Sequence, residues 1–167
     1  GTITNLNYDQ KLYYESIQLS KSGNLLESLK KINFLISKNK KNFFIEETKA
    51  DILLSYGYNK EAIKFYKKIL VSEPNNNYAK YNIFINLILK PDDYDFNQAF
   101  FKNNLNLLKY FPNNKNILIK YYDIAKLLKY NEWILFFEIL LFQNKDTKQS
   151  LNQLNNQTKN YKLTAGC

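Results

Sequence analysis

Gly57-Tyr58-Asn59-Lys60-Glu61-Ala62-Ile63-Lys64-Phe65-Tyr66-Lys67-Lys68-Ile69-Leu70, running on to Pro74-Asn75-Asn76, decides the fold. Ala62, Ile63, Tyr66, Ile69 and Leu70 recur at the three- and four-residue spacing of one helix face. Gly57 ends the stretch before it, as a residue able to turn left-handed, and Pro74 cannot continue the helix after it. The preceding stretch, Phe43 to Tyr56, carries the same helical period. Ala50 and Ala62 are small enough for two antiparallel helices to cross closely. Tyr66 and Ile69 are large enough to fill the gap to whatever packs next. The segment predicts a helical hairpin.

The punctuation repeats. Gly23, in Lys21-Ser22-Gly23-Asn24, lies 34 residues before Gly57. Ala50, Gly57, Ala62, Tyr66, Ile69 and Pro74 stand at the signature places of the tetratricopeptide repeat (TPR), and the segment resembles that family. The resemblance implies an all-α, TPR-like right-handed α-solenoid of about four helix-turn-helix repeats with a C-terminal capping helix. Its register places repeats at 9–42, 43–76, 77–114 and 115–148, after an N-terminal tail at 1–8. A capping helix at 149–163 and a tail at 164–167 complete it. In the first repeat Ser16, Gly23, Ser28, Ile32 and Leu35 hold the equivalent places, with Lys40 where Pro is usual. The third ends in Pro112-Asn113-Asn114, 38 residues after Pro74, so it carries an insertion. Lys90-Pro91-Asp92-Asp93-Tyr94-Asp95 is where turn residues put it. The fourth departs most, with Lys129 at the turn and Ile134 where Ala is expected.

A second resemblance concerns Lys41-Asn42-Phe43-Phe44-Ile45-Glu46-Glu47-Thr48-Lys49-Ala50-Asp51-Ile52-Leu53. It is similar to a repeat opening in the C-terminal TPR domain of bacterial envelope zinc metalloproteases. The lengthened third-repeat loop and Glu138-Ile139-Leu140-Leu141 before Asp146-Thr147-Lys148-Gln149-Ser150-Leu151 are similar too. Asn42 replaces the family's Pro and Ala50 its Gly. On that resemblance the chain is an accessory region, since the zinc motif needs two His and this sequence has none.

Composition narrows the function. The 167 residues carry a net charge of +9, with 45 % hydrophobic and 23 % charged residues, the balance of a folded chain. Mean hydropathy is −0.48. All 24 basic residues are Lys. Lys, Asn, Ile, Tyr and Phe have AT-rich codons, so low GC content accounts for much of this bias. Arg, the better residue for bidentate phosphate and guanine contacts, is absent. Nucleic acid and membrane are therefore disfavoured as partners. The apolar run Trp133 to Phe142 is about half a membrane span and Glu138 interrupts it; it reads as a buried helix. The single Cys167 permits no intrachain disulfide. A start at Gly1-Thr2-Ile3 reads as an excised fragment or a processed form.

No catalytic or metal constellation emerges. Absence of His removes Ser-His, Cys-His and His-metal arrangements. Asp92, Asp93 and Asp95 lack the spacing of a calcium loop and read as a solvated loop that starts a helix. The chain is expected to be non-enzymatic, with no cofactor. The heat-shock cochaperone clamp of Lys and Asn is missing as well: its places hold Gln10, Tyr14, Thr48, Tyr78 and Asn82. A groove is better supported. The register turns inward Tyr13, Ile17, Phe44, Glu47, Asp51, Leu54, Tyr78, Tyr81, Ile85, Ile88, Asn116, Ile119, Asp123 and Lys126. Lys60, Lys64, Lys67 and Lys68 line the opposite, solvated side of one repeat. The expected function is a protein–protein interaction module that binds a peptide or helix of a partner in its concave groove. The alternatives are the accessory domain of an envelope zinc metalloprotease and a basic solenoid on RNA or anionic membrane. The compartment is cytoplasmic by default, or the bacterial periplasm if the protease resemblance holds.

Overall fold

A computed structural model describes residues 7–142 of the chain. Among the described residues every regular element is an α-helix. They are α1 Tyr8–Lys21, α2 Leu25–Lys38, α3 Phe43–Ser55, α4 Asn59–Ser72 and α5 Asn77–Asn86. Then come α6 Tyr94–Asn103, α7 Asn106–Tyr110, α8 Lys115–Leu128 and α9 Asn131–Phe142. The chain divides into two compact units, 1–79 and 80–167, with the division inside α5. The capping helix expected at 149–163, the tail at 164–167 and the end of the fourth repeat lie outside the described residues.

Asparagine starts these helices. Asn7 accepts the Gln10 N–H at 2.8 Å, while the Gln10 side chain accepts the Asn7 N–H at 3.1 Å, a reciprocal box. It sets the first helix at Tyr8, a residue earlier than the repeat register. Asn24, Asn42, Asn76 and Asn114 each accept an N–H of the helix that follows. Asp93 does the same for α6 through the Phe96 N–H at 2.9 Å, which gives one residue of the Asp cluster its role.

In the first unit, α1 pairs with α2, α3 with α4, and α2 packs on α3. Small residues sit at both crossings. Ser16, Ser28, Ala50 and Ala62 are fully buried, and the Ser28 hydroxyl donates to the Ser16 carbonyl at 2.7 Å. Leu12, Ile32, Leu35 and Ile45 then close a core around the first crossing. Tyr66 and Ile69 are fully buried on α4.

The second unit is aromatic. Phe84 of α5, Phe101 of α6, Tyr121 of α8 and Phe137 of α9 are fully buried in one cluster with Trp133. Tyr121 stacks on Phe137 at 5.7 Å and meets Phe101 edge-on at 5.0 Å. No helix among the described residues is long and apolar enough to cross a membrane. The run from Trp133 is α9, with Trp133, Phe136, Phe137 and Leu140 buried.

Two departures from the expected register lie here. The helix pair of the third repeat is shorter and broken: α5 ends at Asn86, and α6 yields to α7 at Asn104-Leu105. At each break an Asn side chain bonds the carbonyl four residues back, Asn86 to Asn82 and Asn104 to Phe100, both at 2.8 Å. Such bonds compete with the backbone ladder. Lys120 completes the end of α5 by donating to the carbonyls of Ile85 and Leu87. Ile88 consequently lies beyond α5, exposed in the loop, rather than on an inward helix face.

Gly23 and Gly57 have φ of +88° and +84°, with nothing within 4 Å of a Cβ at either place. Lys129, at the corresponding turn of α8–α9, has φ +58°. The fold asks for a left-handed residue there, and the sequence supplies one that is strained in it. Gly57→Ala should therefore lower unfolding free energy by about 1 kcal/mol through the backbone alone. Lys129→Gly should raise it by somewhat less than about 1 kcal/mol, because glycine also loosens the unfolded chain. Urea unfolding read by circular dichroism separates the two signs; equal signs would mean the turn geometry is wrong.

Candidate functional site

The first unit contains an open cleft of about 520 Å³ between α1 and α3. Tyr13, Ile17 and Ser20 come from α1, Thr48, Asp51, Ile52 and Ser55 from α3, with Tyr56 at its end. Tyr13 and Thr48 join the walls through their hydroxyls at 2.8 Å, and Tyr56 donates to the Ser20 carbonyl at 2.6 Å. Beside it, the rings of Tyr13 and Phe44 lie 5.6 Å apart. Phe44 is 62 % exposed, a large ring left facing water.

Asp51 is the polar centre. One of its oxygens, Oδ1, accepts from the hydroxyl of Tyr66 on α4 and from that of Tyr78 at 2.9 Å. Tyr66 and Tyr78 meet edge-on at 6.2 Å. Burial raises the Asp51 carboxyl above its ordinary value, with the two phenols pulling it back. Glu47, one turn earlier, accepts from Asn76 Nδ2 at 2.5 Å. Burial raises it as well, Asn76 opposes, and the negative charges of Glu73 and Asp51 push it further up. Burial, then Asp51, drives the Tyr66 phenol far above its usual range, so it acts here as a fixed donor.

Of the residues expected to face inward, Tyr13, Ile17 and Asp51 line this cleft. Phe44 and Tyr78 are tied to it through Tyr13 and Asp51, while Glu47 bonds Asn76 and feels the charge of Asp51. Thr48, Ile52, Tyr56 and Tyr66 were not among the expected set. The signal for Thr48 lies in an offset: Tyr13 and Thr48 are 35 apart, close to the repeat length.

The second unit shows the same offset. Asn116 donates to the Tyr81 hydroxyl at 3.3 Å, and Lys120 reaches the Ile85 carbonyl, each across 35 residues. Tyr81 and Ile85 are half-buried against the aromatic core, with Tyr81 ring to ring with Phe111 at 5.2 Å. They serve packing as well as any surface. Ile119 is exposed, and Asp123 pairs with Lys126 at 3.3 Å. On α4, Lys60, Lys64, Lys67 and Lys68 are exposed, yet Lys68 holds buried Glu46 at 2.9 Å and Lys64 lies 3.9 Å from Glu61. Among the described residues no three His, Cys, Asp or Glu are grouped to hold a metal ion. Comparison of the chain with family models, curated proteins and solved structures finds no match.

The folded state holds Glu47 and Asp51 at raised values, so it binds more protons than the unfolded chain just above about pH 4. Stability contributed by these two groups falls as pH rises through that window. Asp51→Asn, which keeps an acceptor for both phenols, should melt above wild type at neutral pH and match it near about pH 3. Asp51→Leu should cost about 1–3 kcal/mol at both, by stranding the buried Tyr66 hydroxyl. A lower melting point for Asp51→Asn at neutral pH would show the phenol bonds outweighing burial.

Proposed function

We propose that the chain is a protein-interaction module, a TPR-like solenoid that binds a peptide or helix of a partner along the first helices of its repeats. The observation carrying this reading is the 35-residue offset of the hydrogen bonds that join α1 to α3 in one unit and α5 to α8 in the other. An offset near the repeat length is what neighbouring first helices of a repeat array would give. The cleft adds to it: aromatic and aliphatic walls with a few fixed polar groups suit capture of a protein segment by burial. The RNA or membrane alternative leans on lysines of which two on α4 are already engaged by Glu46 and Glu61.

Phe44→Ala and Ile119→Ala remove exposed side chains and should leave the helical signal and melting nearly unchanged. Both should weaken partner capture from an extract of the source organism, washed at high salt and read by mass spectrometry. Tyr81→Ala with Ile85→Ala should instead lower the melting temperature, since both side chains pack on the core. Nucleic acid or lipid released by salt, with no protein retained, would replace this reading with the electrostatic one.

A further inference from the structure

Resting on that groove reading, we infer that the cleft between α1 and α3 is built for a cationic side chain, a lysine or arginine carried on an apolar partner segment. The site is the cleft with its rings and carboxylates together. Its floor is apolar at Ile17 and Ile52, and the Tyr13–Phe44 ring pair stands beside it. A lysine or arginine lays its aliphatic stem along such a surface and its head over a ring or against a carboxylate.

Charge fixes the sign of the occupant. The chain is strongly basic, at +9, yet Asp51 lines this cleft, and Glu47, one turn before it on α3, feels the like charges of Glu73 and Asp51. None of the three makes an ion pair among the described residues, whereas Asp9, Glu15, Glu27, Glu46, Glu61 and Asp123 all do. Lys21, near the Gly23 turn, is the lysine among the lining residues, and it pairs with neither carboxylate. Asp51 is aimed in advance: two phenols hold Oδ1, and Oδ2 accepts no hydrogen bond among the described residues. A carboxylate tail or a phosphate would meet Asp51 as a like charge, with Glu47 one turn behind it, a juxtaposition that rejects partners. An incoming ammonium or guanidinium would relieve both.

Three synthetic peptides test this. They share one leucine-alanine helical scaffold and carry lysine, glutamine or glutamate at the same two positions. Binding to the full chain is read by fluorescence anisotropy and located by amide shifts in nuclear magnetic resonance. The lysine peptide should bind at least about tenfold tighter than the glutamine peptide, and the glutamate peptide weakest, against the sign of the net charge. Asp51→Asn with Glu47→Gln, which keeps the acceptor oxygens, should erase the preference for the lysine over the glutamine peptide. Equal binding of lysine and glutamine peptides in the cleft would overturn the cation inference and keep the groove. Tightest binding by the glutamate peptide would overturn it in favour of net charge. No cleft shift with any of the three would remove the groove reading too.

Discussion

Everything in the first unit follows from how closely its paired helices approach. Ser16, Ser28, Ala50 and Ala62 have no exposed surface, and no larger side chain could occupy those places without forcing the helices apart. The serine crossing is sealed by a hydrogen bond, which makes the approach polar as well as close. With the pairs drawn in, Ile32, Leu35, Tyr66 and Ile69 can fill the space between layers. α3 then stands where Thr48 meets Tyr13, and Asp51 meets Tyr66 and Tyr78. A cleft whose walls are joined by contacts 35 and 36 residues apart follows from the close approach that four small side chains permit.

Much of this was legible because glycine, alanine and proline act locally. Gly23 and Gly57 mark left-handed turns by their own steric freedom, and the structure gives them positive φ. Lys129 shows the limit of that signal: the turn persists with a residue that disfavours it, because α8 and α9 are held by burying Tyr121, Trp133 and Phe137. The asparagines were less legible. Read as codon bias, they carry no position, yet five of them cap helix starts and two others interrupt α5 and α6. Asn is equally suited to begin a helix and to break one, and which occurs depends on neighbours that helical period does not encode.

The site divides the same way. Tyr13, Ile17 and Asp51 follow from which side of a helix faces inward, a property of spacing alone. Thr48, Tyr56 and Tyr66 enter through hydroxyls reaching another element, and spacing assigns Tyr66 to packing. Tyr66 does both: its ring is core and its hydroxyl orients the carboxylate. Phenols can do this because one end is apolar and the other a donor. In a chain with 14 Tyr, composition conceals the few so used.

Net charge and local charge then point in opposite directions, and distance decides between them. At physiological ionic strength the field of an exposed charge fades over about 8 Å. Lysines on the exposed face of α4 are therefore screened from a segment seated in the cleft, and some of their charge is already balanced by Glu46 and Glu61. Within the cleft, partial burial weakens that screening around Asp51, which lines it together with Lys21 near the Gly23 turn. The basic surface slows the arrival of a cationic segment, whereas the Asp51 carboxylate in the cleft holds one that has arrived. Rate and residence are thus set by different residues, and the sign of the +9 says little about the chemistry of the partner that stays.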